Sequence, residues 1–196
     1  MSNHHQTGFS LVELLISIAI SMILLAAIST YFIYQDRTYA AQNQLTEMHE
    51  NTRAALDLLE REIRLAGYNP ARATFSGIPY NSNTGTLDLY QDLNGDGAVT
   101  GTNEHITYSH NQTQRILYRN ANDANGAQPL LDNLNAFQVS YLDSAGSATT
   151  TTANIRSVRL AFTVQASQPD RSWPQNNGYR TLTLNSSITA KNLAYK

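Results

Sequence analysis

Cysteine is missing from all 196 residues, which excludes disulfides, thiolate metal centres and cysteine nucleophiles. Its absence also removes the usual redox clue to compartment. Charge is scarce as well, at 14% of residues against about 25% in ordinary soluble domains. Thirteen Lys and Arg against fifteen Asp and Glu leave a formal net charge of -2, so there is no cationic surplus to track a phosphate backbone. Nucleic acid is not an expected partner.

The most informative absence is local. All five prolines lie at or after Pro70, and no glycine or proline occurs in the 58 residues from Phe9 to Ala66. As one helix this stretch would be about 87 Å long, well beyond a globular helix of roughly 8 to 20 residues. The 22 residues from Leu14 to Gln35 carry no charge and are dominated by Leu, Ile, Ala, Met and Phe. About 20 such residues suffice to cross a bilayer, so residues 9–35 are expected to form a transmembrane segment. Tyr31, Phe32, Tyr34 and Tyr39 cluster where it ends, as an interfacial aromatic belt or as packing between helices.

From Asp36 the pattern turns amphipathic. Leu45, Met48, Thr52, Leu56, Leu59, Ile63 and Ala66 recur at steps of three and four and predict a stripe lying on a folded domain over residues 36–67. Asp57 with Arg61 and Glu60 with Arg64 place acids four residues before bases on the outer face, each pair contributing roughly 0.2 to 0.5 kcal/mol. Gly67, with Pro70 soon after, should stop the helix near Ala66.

Residues 68–196 are rich in Thr and Asn, with fifteen and sixteen of them, which favour strands and turns respectively. Strands are expected at Thr86–Gln91, His105–Ser109, Gln114–Arg119, Ala136–Leu142, Ile155–Gln165 and Arg180–Ala190. Val158, Leu160, Phe162 and Val164 alternate with Ser157, Arg159, Ala161 and Thr163, the period of a sheet with one buried face. The last strand carries a possible irregularity near Asn185. The fold class is therefore α+β, a long N-terminal helix packed on an antiparallel β-sheet domain.

A secretory signal places its small cleavage residue after the apolar core, whereas here Gly8 precedes it. Gly8-Phe9-Ser10-Leu11-Val12-Glu13-Leu14-Leu15 resembles the start of type IV pilins and pseudopilins. The resemblance implies the type IV pilin fold, a leader at residues 1–8 cut by prepilin peptidase after Gly8, and methylation of Phe9 as the new amino terminus. It also implies an assembly role for Glu13, paired with the amino terminus of a neighbouring subunit. A carboxylate in an apolar helix independently demands compensation, since it costs roughly 2.5 to 3.5 kcal/mol near a bilayer centre. The other reading of Glu13 is a hydrated side chain close to the membrane surface.

Glu50 to Leu59, Glu62 to Tyr68, the Asp92–Gly97 loop and the closing strands resemble the PilW-type minor pilins. The leader departs from the family in having no Lys or Arg, and Lys191-Asn192 stands where Arg-Asn is expected. The implied partners are prepilin peptidase, other minor and major pilins, and the inner-membrane assembly platform. The implied location is the inner membrane, with a periplasmic globular domain, and then the pilus or cell surface. The rivals are a type II secretion pseudopilin and a membrane-tethered, calcium-dependent binding module.

Asp92, Asn94, Asp96 and Gly97 satisfy the first half of an EF-hand loop, D-x-[DN]-x-[DN]-G. With Thr100 and Glu104 they form a candidate calcium site. The twelfth position is Asn103 instead of an acid, and Asn94-Gly95 and Asp96-Gly97 are also strong turn dipeptides, so a bare hairpin loop is the alternative. His4, His5, His49, His105 and His110 show no metal-ligand spacing, and no nucleophile elbow frames the available Ser, His and Asp residues. An enzyme is not expected.

Overall fold

With no breaker to interrupt it, α1 runs continuously over Leu11–Leu65. The computed structural model describes residues 10–170 and 173–193. The chain divides into two compact units, Met1–Asn43 and Gln44–Lys196.

In the first unit Leu14, Ile16, Ile20, Ile23, Leu25, Ile28 and Phe32 are all exposed. The helix here is long and apolar enough to cross a membrane. Several of its hydroxyls are satisfied within the helix. Ser17 Oγ donates to Glu13 O at 2.8 Å, Ser21 Oγ to Ser17 O at 2.7 Å and Thr30 Oγ1 to Ala26 O at 2.9 Å. That back-bonding removes the cost of an orphan polar group in hydrocarbon, so these residues do not argue against a spanning segment.

The second unit begins where the helix acquires a packed face. Met48, Thr52, Ala55, Leu59, Ile63 and Ala66 are buried, with Leu45 and Leu56 half-buried beside them. Two antiparallel sheets complete the unit. The first has the order β1-β2-β3-β4, from β1 (Thr86–Tyr90), β2 (His105–Asn111), β3 (Ile116–Asn120) and β4 (Ala127–Leu131). The second has the order β5-β6-β7, from β5 (Leu134–Leu142), β6 (Ser157–Gln165) and β7 (Thr181–Thr189). Leu87, Leu89, Ile106, Leu117, Phe137, Leu160 and Phe162 point into one core with Leu59 and Ile63. The fold class is the expected one, a long N-terminal helix packed on antiparallel sheets.

Three local expectations are corrected. Strand β4 was not expected, because Gln128 and Pro129 weaken its strand signal, yet its register on β3 tolerates Pro129 through a shift between Leu117 and Tyr118. No irregularity occurs at Asn185, which pairs with Ala161 in an unbroken register from Thr181 to Thr189. Arg61 donates to the Asp57 backbone carbonyl at 3.2 Å instead of pairing with its carboxylate, whereas Arg64 does bond Glu60.

The helix ends as expected, one residue early. Gly67 has φ +79° and its N–H donates to Tyr90 O at 2.8 Å, turning the chain onto the end of β1. Asn192 Nδ2 caps the Leu65 carbonyl at 3.0 Å. Gly77 lies against this corner so closely that a Cβ there would sit 2.4 Å from the Gly67 backbone, which explains a second glycine.

Candidate functional site

The residues singled out in the sequence fall into separate places. Gly8 and Phe9 lie outside the described residues. Glu13 stands in the first turn of α1, where its N–H donates to Ser10 Oγ at 3.2 Å and its carboxylate Oε2 accepts from Ser10 N at 3.4 Å. This reciprocal arrangement is a capping box, in which a Ser just before the helix and an acid three residues on satisfy each other's backbone donors. The S-x-x-E spacing of Ser10 and Glu13 is the sequence signal for it. Glu13 therefore has a helix-capping task within its own chain in addition to any role between subunits.

The Asp92–Glu104 loop joins β1 to β2, and the two acids at its ends are buried. Asp92 Oδ1 accepts from Gly95 N at 2.7 Å and Oδ2 from Gly97 N at 3.1 Å. Gly95 and Gly97 have φ +80° and +83°, the left-handed conformation that aims their N–H groups back at Asp92. Glu104 Oε1 accepts from Leu93 N and Asn94 N, both at 3.1 Å, and Oε2 from Gly101 N at 2.7 Å. Asn94 and Asp96 bond each other and their neighbours on the exposed side, with Asp96 Oδ1 taking Ala98 N at 2.7 Å. The exposed Thr100 offers its carbonyl to Asn122 Nδ2 at 2.7 Å.

The five residues read as candidate calcium ligands thus share one loop, in which the carboxylates of the two buried acids accept from backbone donors. No group of three His, Cys, Asp or Glu side chains capable of holding a metal occurs among the described residues. The donors that Asp92 and Glu104 engage already close the loop, which is the task a cation would have performed. Melting of the full-length chain in detergent is accordingly expected at the same temperature in millimolar calcium and in chelator. A clear rise with calcium would show instead that the loop binds the ion.

Sequence reasoning missed a third group. Glu62, on the buried side of α1, accepts a short hydrogen bond from the Tyr108 hydroxyl of β2. The same carboxylate accepts from Arg119 of β3 at 3.0 Å through Nε and 2.6 Å through Nη2, and Nη2 also donates to Asn103 Oδ1 at 2.8 Å. Burial first, and then the Glu62 charge, push the Tyr108 hydroxyl well above the ordinary value of 10.0, so it stays a donor. Burial acts to lower the Arg119 pKa, but the hydrogen bond to Glu62 and its charge outweigh burial and raise it. The cluster ties helix to sheet. Its signal was an acid interrupting the apolar stripe between Leu59 and Ile63.

Of the histidines, His4 and His5 lie outside the described residues and His49 is exposed. His105 stacks on Tyr90 with ring centroids 4.4 Å apart, and His110 Nε2 lies 2.8 Å from Leu134 O.

Comparison with known proteins agrees with this architecture. Residues 3–29 match the prokaryotic N-terminal methylation motif. A type IV-like pilin of Thermus thermophilus shares the fold, at 15% identity and a TM-score of 0.52, over 76% of this chain and 99% of the other. No curated protein matches the chain. Residues 41–194 match the family described as prepilin peptidase-dependent protein B, which spans the second half of α1 and both sheets. The methylation motif, the unbroken apolar helix and this match along most of the β-rich unit lead to one assignment: the chain belongs to the prepilin peptidase-dependent protein B family, whose members are type IV pilin-like.

Proposed function

We propose that the chain is a minor pilin of the PilW type, held in the inner membrane as a precursor with its globular unit in the periplasm. Prepilin peptidase cuts it after Gly8, and its N-terminal helix then packs into a type IV pilus or the tip complex that initiates one. The supporting observation is the methylation motif continuing without a break into α1, whose first part exposes an apolar surface while its second part is seated on the sheets. A subunit with this division can pass from bilayer to filament core without refolding its globular unit, because both surroundings satisfy the same apolar side chains. Function on this reading is assembly with other major and minor pilins at the membrane platform, with no catalytic turnover.

Gly8→Val tests it. A β-branched residue at the scissile bond should leave a precursor eight residues longer, without a methylated Phe9, and absent from sheared pili. Mass spectrometry of the amino terminus in host membranes reads the outcome. A wild-type protein that retains Met1 or lacks N-methylation would overturn the proposal.

A further inference from the structure

Each sheet has two edges, and among the described residues three of the four are blunted. At the β1 edge, Tyr90 N donates to Gly77 O at 2.8 Å, and its carbonyl takes Gly67 N. Strand β4 contains Pro129 and an irregular register. On the open side of β5, Val139 N donates to Thr84 O at 3.0 Å and Tyr141 O accepts from Thr149 N at 2.9 Å. Such devices keep an edge from adding a foreign strand.

Strand β7 has none of them. It is nine residues long, unbroken in register, and contains no charge, proline or glycine. Ala166 N donates to Arg180 O and Ala190 N to Arg156 O, which sets the alternation: even-numbered residues face β6. The N–H and C=O groups of Thr181, Thr183, Asn185, Ser187 and Thr189 therefore point outward, and no described strand or loop pairs with them. Their side chains are exposed, while Leu182 and Leu184 on the other face are only half-buried at the sheet's rim.

The sequence of β7 is self-complementary about its centre. Aligned antiparallel on a second copy with Asn185 opposite Asn185, Thr181 meets Thr189, Leu182 meets Ile188, Thr183 meets Ser187 and Leu184 meets Ser186. This register brings every outward-facing residue opposite another outward-facing residue, so all the free donors and acceptors find partners. Hydroxyl meets hydroxyl on the exposed face, and Leu182 and Ile188 cover each other on the inner face. A two-fold axis through Asn185 makes the contact isologous and closed, and it cannot propagate into a fibre.

We propose that β7 is a homodimerisation edge, joining two copies of this chain into a continuous sheet in the order β5-β6-β7-β7-β6-β5. The inference goes beyond the pilin reading and does not depend on it.

Because the chain has no cysteine, single and paired substitutions in the full-length protein in its own membrane report the register directly. Residues in a hydrogen-bonded antiparallel pair have Cα atoms about 5.5 Å apart, within disulfide range. Mild oxidation should therefore cross-link Asn185→Cys into a dimer of twice the subunit mass. Thr183→Cys alone should not cross-link, because its symmetry mate lies roughly 13 Å away along the strand. Thr183→Cys combined with Ser187→Cys should cross-link again. Adding Thr183→Lys to Asn185→Cys should suppress the dimer at least fivefold while the near-UV circular dichroism of the folded chain is unchanged. Absence of an Asn185→Cys dimer, equal cross-linking by Thr183→Cys alone, or cross-linking only to a chain of different mass would each overturn the proposal.

Discussion

Arg119→Met should lower the stability of the β-rich unit by about 3 kcal/mol, the lower part of the range for breaking one side of a buried ion pair. The lower part applies because the Arg119 side chain remains 23% exposed, against 10% for Glu62. The loss comes mainly from what is left behind. Glu62 would stay buried with only the Tyr108 hydroxyl as donor, and Asn103 Oδ1 would lose its guanidinium partner. For a chain of this size the melting temperature should fall by about 6 to 12 °C, measured by near-UV circular dichroism of the full-length protein in detergent.

Replacing all three groups together, Glu62→Leu with Tyr108→Phe and Arg119→Met, should recover most of that loss, because the buried carboxylate is gone and, of the cluster, only the half-buried Asn103 Oδ1 is left without its donor. The cluster's pH dependence has a definite sign. The Tyr108 pKa is raised on folding, so the stability it contributes is complete below the unfolded value near 10 and is lost as pH rises beyond it. A melting temperature for Arg119→Met within two degrees of wild type would show that the carboxylate reaches water and that the pair is not a structural tie.

What the sequence conveyed and what it withheld follow from the range of the interactions involved. The helix from Leu11, its stop at Gly67 and the alternation of β6 are local patterns, so period and breaker residues reveal them. Strand β4 is held by pairing with β3 and not by its own composition, and Pro129 actively disguises it. Glu62, Tyr108 and Arg119 come from three elements separated by up to 57 positions, and no spacing rule could have joined them. The outer edge of β7, unpaired among the described residues, is equally invisible beforehand, since its palindrome matters only once the opposite edge is known to belong to β6. In the loop the sequence named the residues but not the backbone bonds they make: Asp92 accepts from Gly95 N and Glu104 from Gly101 N, contacts that a ligand-spacing pattern does not specify.

Glu13→Gln should insert and be processed normally yet enter pili roughly tenfold less than wild type, equivalent to about 1.4 kcal/mol. Two tasks meet at this residue, and the choice of variant separates them. Oε2 completes a capping box with Ser10, which a glutamine oxygen reproduces, so the first turn of α1 should survive the change. The negative charge does not survive. If assembly depends on an ion pair between Glu13 and the amino terminus freed on a neighbouring subunit, Gln and Ala variants should fail alike. If only the cap matters, Gln should assemble as wild type and Ala should fail, because Ala leaves the Ser10 donor unpaired. Quantitative blotting of sheared pili against membrane-held protein distinguishes the outcomes. Position matters to the interpretation: Glu13 lies in the unit that ends at Asn43, whereas the packed core begins at Met48. The globular unit should therefore melt identically in all three proteins, and any loss of pili measures the helix's business with its neighbours and not the folding of the subunit.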